Sequence, residues 1–195
     1  MSFHKISIVL LIVFITQFAQ AQNFKADLKE AVPLVLKALN HNITIKEKMR
    51  ENCVIAVLYA EGSALSEEEK RIIADVLNDN KNIKVHGEKI KIIDIPVKSG
   101  INLEKKIIIN KINAFWLASG VQSYIEDIRE SARFNQVITV SSDPDLVSQS
   151  LVAMGARKTE SGYKLIINLL EARNMNIDLN QNLFSEAFVE QPQQD

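Results

Sequence analysis

The chain has 195 residues, with 23 basic and 24 acidic side chains and a single cysteine. So even a balance, with no basic stripe, excludes nucleic-acid binding, which depends on Lys and Arg neutralising phosphates. One cysteine excludes an internal disulfide, so packing must hold the fold.

His4 and Lys5 precede an almost unbroken apolar run, Ile6 to Phe18, closed by Ala19, Gln20 and Ala21. This is the basic, apolar and A-x-A order of a secretory signal peptide. The run has 13 residues, short of the about 20 that a membrane span requires. Cleavage is expected between Ala21 and Gln22, with an uncleaved anchor as the alternative, and Gln22 in place of Cys argues against a lipid anchor. Removing residues 1–21 leaves 22 basic and 24 acidic groups. The expected product is an exported α/β domain over residues 22–190 followed by a disordered tail at 191–195, a length that suits one domain with a substantial core.

Phe24, Leu28, Ala31, Val32, Val35, Leu36 and Leu39 recur at three- and four-residue spacing and predict a helix, which Pro33 interrupts or restarts. Cys53 to Tyr59 is short, continuously apolar and β-branched, as a buried strand would be. Cys53 then reads as a small buried hydrophobe, with pairing between chains as the other option. Gly62, Ser63 and Ala64 form a turn. Ser66 with Glu69 three residues on matches a capping box, and Glu67 and Glu68 suit the positive end of a helix running to about Leu77. Ile90 to Val97 predicts a strand ending near Pro96. Residues 98–111 leave two readings open, a short strand at Ile107 to Ile109 or a helix begun near Leu103.

Ile112 to Ala118 predicts a strand, and Val121, Tyr124, Ile125, Ile128 and Ala132 mark the buried face of a helix ending near Phe134. Gln136 to Val140 is another strand, after which Asp143 caps a helical turn with Pro144 at its first position. Ser148 to Met154 and Tyr163 to Leu169 predict an antiparallel hairpin joined through Gly155 to Gly162. A short helix at Leu170 to Arg173, an extended piece at Ile177 to Leu179 and an amphipathic helix carrying Leu183, Phe184, Ala187 and Phe188 complete the chain. The order predicts a single Rossmann-like α/β domain: a mixed, mostly parallel sheet with flanking helices and a C-terminal antiparallel hairpin.

No nucleophile elbow, H-E-x-x-H, P-loop or G-x-G-x-x-G string is present. His41 and His86 lie in polar segments without metal-ligand spacing and read as surface histidines. Glu67, Glu68 and Glu69 read as a helix start, and Glu126, Asp127 and Glu130 as a solvated face. The sequence therefore points to a non-enzymatic protein with no cofactor. Gly62 and Ser63, Ser119 and Gly120, and Ser141, Ser142 and Asp143 follow predicted strands and would gather at one edge. In open α/β sheets that carboxyl edge binds ligands, and backbone N–H groups there can meet an anion. Turns need small residues there in any case.

VITVSSDPD at 137–145 and INLLEARNMNIDLNQNLFSEA at 167–187 resemble the YfiR/HmsC-like family of periplasmic proteins. PLVLKALNHN at 33–42 and CVIAVLYAEGS at 53–63 are similar to that family's opening helix and first strand, so the resemblance spans residues 33–189. It implies a secreted, non-enzymatic α/β domain, since the best-known members hold down a membrane-bound diguanylate cyclase by contacting its periplasmic part, with cyclic di-GMP output and biofilm behaviour following. The implied partner is the periplasmic part of an inner-membrane signalling protein, with a homodimer as a further candidate. Leu183, Phe184 and Phe188 are the candidate partner contact, against the plainer reading that they close the core. The alternative function is a periplasmic small-ligand-binding protein using the carboxyl edge. Two departures matter. Those members contain disulfides, which this chain cannot form internally, and the family's glycine after VITVS has no counterpart before Gly155. Redox control of that kind is not expected, and no catalytic residue carries over.

Overall fold

The computed structural model describes residues 24–25, 27–80, 82–185 and 188–190, from 184 onward as backbone only. The expected leader with Ala21 and Gln22, and the expected tail at 191–195, lie outside the described residues.

Asn52–Ala60 (β1) and Ile112–Leu117 (β3) are apolar nearly throughout and buried on both faces. Only a strand covered by helices on both sides of a sheet can carry such a run. They sit in a seven-stranded sheet of order β2-β1-β3-β4-β5-β6-β7. Its other members are Lys89–Val97 (β2), Ile138–Ser141 (β4), Met154–Thr159 (β5), Gly162–Asn168 (β6) and Phe188–Glu190 (β7). β1 to β5 run parallel, β6 returns antiparallel to β5, and β7 pairs parallel with β6. The fold is therefore α/β with the mostly parallel sheet and C-terminal antiparallel pair that the sequence predicts.

The chain steps from β1 to β2 in one direction, then through β3, β4 and β5 in the other. Right-handed crossovers accordingly place Ala64–Asp79 (α3) on one face, and Leu103–Asn110 (α4), Ile125–Asn135 (α5) and Pro144–Ser148 (α6) on the opposite one. Residues 27–39 (α1) form one continuous helix through Pro33. Pro33 removes one backbone donor without ending the helix, because Leu28, Val32, Val35, Leu36 and Leu39 all lie buried in the core. Ile43–Lys48 (α2) leads into β1.

Several expectations need correction. The capping box is not formed: Ser63 is the N-cap of α3 and accepts from the Ser66 N–H. Ser66 is buried and its Oγ accepts the Ala60 N–H at 2.8 Å, so this hydroxyl closes the end of β1. The ambiguous segment 98–111 contains α4, capped by Asn102, with Leu103 and Ile107 buried. β5 starts at Met154, where the sequence placed its end. Ser148 belongs to α6, and the apolar stretch after it is a buried turn whose Leu151 and Val152 amides donate to Leu146 O. The expected final helix is a 3₁₀ turn, Gln181–Ser185, followed by β7. Here the open backbone edge of β6 recruits the chain as a strand. Leu183 is 3% exposed and part of the core, so it is withdrawn from any partner contact. Phe184 and Phe188 lie where side chains are not described.

Leu169–Asn174 (α7) docks by charge as well as packing. Asn168, fully buried, caps it from the end of β6 and donates to Val147 O and Ser150 Oγ. Glu171, fully buried, lies between Arg129 and Arg133 of α5, with oxygens 3.1 Å and 2.9 Å from their guanidinium nitrogens.

Cys53 is inaccessible, and burial pushes its thiol up to about 12. Since the thiolate is the reactive form, native protein in mildly alkaline iodoacetamide is expected to stay unmodified and to label fully once denatured. Labelling of the folded protein at the rate of a free thiol would contradict this.

Candidate functional site

The sheet order makes the carboxyl ends of β1 and β3 the topological switch point, because the two adjacent strands send their chains to opposite faces. Ligands of doubly wound sheets bind in such a crevice. The structure does bring Gly62 and Ser63 together with Ser119 and Gly120. Gly120, at φ +85°, lies so close that an added methyl would sit 3.5 Å from Ala60 Cβ and 3.6 Å from Ser63 Oγ. Yet the crevice is filled from within. Glu69 on α3 accepts from the Ser119 N–H at 2.6 Å and from its hydroxyl at 2.8 Å. The chain's own carboxylate thus takes the place an anion would have, and the Gly62 N–H is given to Glu67.

At the end of β4 the two serines differ. Ser141 is buried, its Oγ accepting the Asp143 N–H. Ser142 accepts from the indole N–H of Trp116 at 2.9 Å and borders a hollow of about 230 Å³. Leu28, Ala31 and Ala156 give this hollow an apolar wall, and Asp27, Lys158 and Tyr163 supply its polar groups. The β5–β6 register sets Lys158 opposite Tyr163. From α1, Asp27 meets the Lys158 ammonium at 3.1 Å, and the ammonium lies 5.7 Å from the Tyr163 ring centre. The Tyr163 hydrogen bond holds the Asp27 carboxyl below its ordinary range, against the opposing effect of burial, and Lys158 adds to the lowering. Burial and then Asp27 push the Tyr163 phenol up. Tyr163 is therefore a neutral donor and Asp27 an anion at any ordinary pH.

An acid, a base, a phenol and a hydroxyl over an apolar wall can hold both ends of a small zwitterion. Asp27, Lys158 and Tyr163 escaped sequence reasoning, since 131 positions separate Asp27 from Lys158 and only the docking of α1 joins them. Among the described residues no group of three or more His, Cys, Asp or Glu is placed to hold a metal ion. His86 instead bonds the end of another segment, its Nε2 2.9 Å from Asn42 O. No described helix is long and apolar enough to cross a membrane.

These features define a doubly wound α/β domain with a ligand-sized hollow at its carboxyl edge. No family model and no curated protein matches the chain. Among solved structures it is similar to the ABC domain in complex with L-Trp from Streptococcus pneumonia, at 11% identity and TM-score 0.50 over 79% of this chain and 60% of that one. It is also similar to the ligand-free, open structure of CD0873, a substrate binding protein with adhesive properties from Clostridium difficile, at 11% identity and TM-score 0.54 over 77% of this chain and 58% of that one. At this identity the likeness is one of fold. The chain spans about three fifths of the length of either structure.

Proposed function

We propose that this chain is an exported, non-enzymatic binding protein that takes a small polar ligand at the carboxyl edge of its sheet. The observation that carries this reading is the hollow itself, where Asp27, Ser142, Lys158 and Tyr163 converge at the edge on which such folds bind ligands. Its volume of about 230 Å³ is below the range typical of drug-sized ligands. The fold shared with an ABC domain in complex with L-Trp and with a substrate binding protein supports a free amino acid as the ligand class. Its carboxylate would meet Lys158 and its ammonium Asp27, exchanging the internal ion pair for two to the ligand.

A thermal-shift screen of free L-amino acids, tryptophan included, tests this. A ligand at about a hundred times its dissociation constant stabilises by about 2.7 kcal/mol. Lys158→Ala and Asp27→Asn are expected to abolish the shift while the free protein melts nearly unchanged, because the pair is solvent-exposed. No shift with any amino acid, or a shift that survives in both variants, would overturn the reading.

A second reading rests on the resemblance of residues 137–145 and 167–187 to the YfiR/HmsC-like family. In it the chain contacts the periplasmic part of an inner-membrane signalling protein such as a diguanylate cyclase, and ligand occupancy sets the strength of that contact. Pull-down from solubilised membranes, with and without the ligand, tests it. Recovery of a membrane cyclase or sensor supports it, and empty bait after crosslinking removes it.

A further inference from the structure

The opposite, amino edge of the sheet carries a larger cleft of about 540 Å³ between the starts of β1, β2 and β3. Four cations line it, Lys48, Arg50, Lys91 and Lys111, against one carboxylate, Glu51. All four are exposed. Ile109 of α4 lines this cleft and also the adjoining shallow hollow, where it meets Ile108 and Lys105 beside Glu104. Ile108 and Ile109 are 69% and 64% exposed, although Ile107 immediately before them is buried. α5 ends at this edge too. Its Phe134 is 77% exposed, and the Lys48 ammonium donates to the neighbouring Asn135 carbonyl at 2.6 Å. Three of the five large apolar side chains that stand exposed among the described residues therefore gather at the edge that holds the basic cleft.

We infer that this edge is a docking surface for an anionic phospholipid membrane. Headgroup phosphates fit the cleft between Lys48, Arg50, Lys91 and Lys111, and Ile108, Ile109 and Phe134 enter the boundary between headgroups and acyl chains. Charge complementarity selects this occupant. Basic groups beside protruding aliphatic and aromatic side chains are the composition of interfacial membrane contacts, and each cation near an anionic surface strengthens binding about fivefold. The plainer role of Lys48 and Lys111 is to offset the negative carboxyl ends of α2 and α4. That role does not extend to Lys91 on the edge strand, and it does not explain three apolar side chains left in water. The inference is independent of any ligand at the carboxyl edge.

The test is co-sedimentation of the purified exported protein with vesicles of phosphatidylglycerol and phosphatidylcholine, and with vesicles of phosphatidylcholine alone. Binding to the first, weakened by salt, is expected. Arg50→Gln with Lys91→Gln should reduce it about 25-fold, and Ile108→Ser with Ile109→Ser should also weaken it. All four substitutions are at exposed positions, so melting temperatures report that the variants fold. Equal partition into both vesicle types, or unchanged binding by both double variants, would overturn the inference. So would stabilisation by inositol hexakisphosphate without vesicle binding, which would make the cleft a site for a soluble anion.

Discussion

Glu171→Ala is expected to destabilise the fold by about 3 kcal/mol, the lower part of the range for breaking a buried pair. The carboxylate is wholly inaccessible and receives both Arg129 and Arg133, so its loss strands Arg133 against the seat of α7 and leaves Arg129 only the exposed Glu126. Arg133 is 34% exposed, and water screens part of what it would lose, which places the effect toward the lower end. The same cluster makes stability depend on acid. Burial alone would raise the Glu171 carboxyl, but the hydrogen bonds and charges of Arg129 and Arg133 outweigh it and hold the group below its ordinary value. The folded form therefore releases this proton at a lower pH than the unfolded chain does. Its contribution is complete above the ordinary glutamate range and is lost as pH falls through the folded value. Denaturant titrations across the acid range should show a component of pH dependence in the native protein that Glu171→Gln lacks. Identical acid profiles for the two proteins would mean that the cluster does not anchor α7.

The second large effect is expected at Gly155. A methyl there would lie 2.9 Å from both Ser141 O and Val147 Cγ2. Ser141 O is backbone of β4, held in register beside Gly155 itself, and cannot withdraw as the tip of a flexible side chain would. Overpacking of this kind costs about 1–3 kcal/mol, so Gly155→Ala should lower the midpoint of urea unfolding with an unchanged slope. An unmoved midpoint would mean that β4 and β5 yield to the methyl. The glycine is needed for closeness rather than for a left-handed backbone, which sets it apart from Gly120.

The parts of the fold legible in the sequence are those where burial is repeated. β1 and β3 read correctly because both faces are covered, and α5 because a helix with one buried stripe repeats its apolar residues every three or four positions, whereas α3 rests on a capping signal at Ser66 and Glu69 that the structure replaces with a cap at Ser63. The errors fall where one segment had two physically adequate fates. Leu151 to Ala153 is as apolar as a strand, but a turn closing α6 buries it equally well, and β5 begins only at Met154. The pattern at Leu183 to Phe188 satisfies a helix, yet an unpaired edge of β6 offered backbone partners that no local pattern reveals. The candidate site divides in the same way. The small residues after β1, β3 and β4 announced the carboxyl edge, since sharp turns need them. That Glu69 would fill the switch point, and that Asp27, Lys158 and Tyr163 would meet beside Ser142, depended on how α1, α3 and the β5–β6 hairpin dock.

β2 pairs with β1 along its whole length, and among the described residues no strand pairs with its outer side. Such an edge is a template on which another chain can add a strand. Here Lys89, Lys91 and Asp94 stand exposed along it, and Pro96 near its end has no N–H to offer. A strand added there would have to accommodate those charged side chains and would find no N–H at Pro96. The β2 edge is thereby discouraged from growing into a continuous sheet with a second copy of the chain.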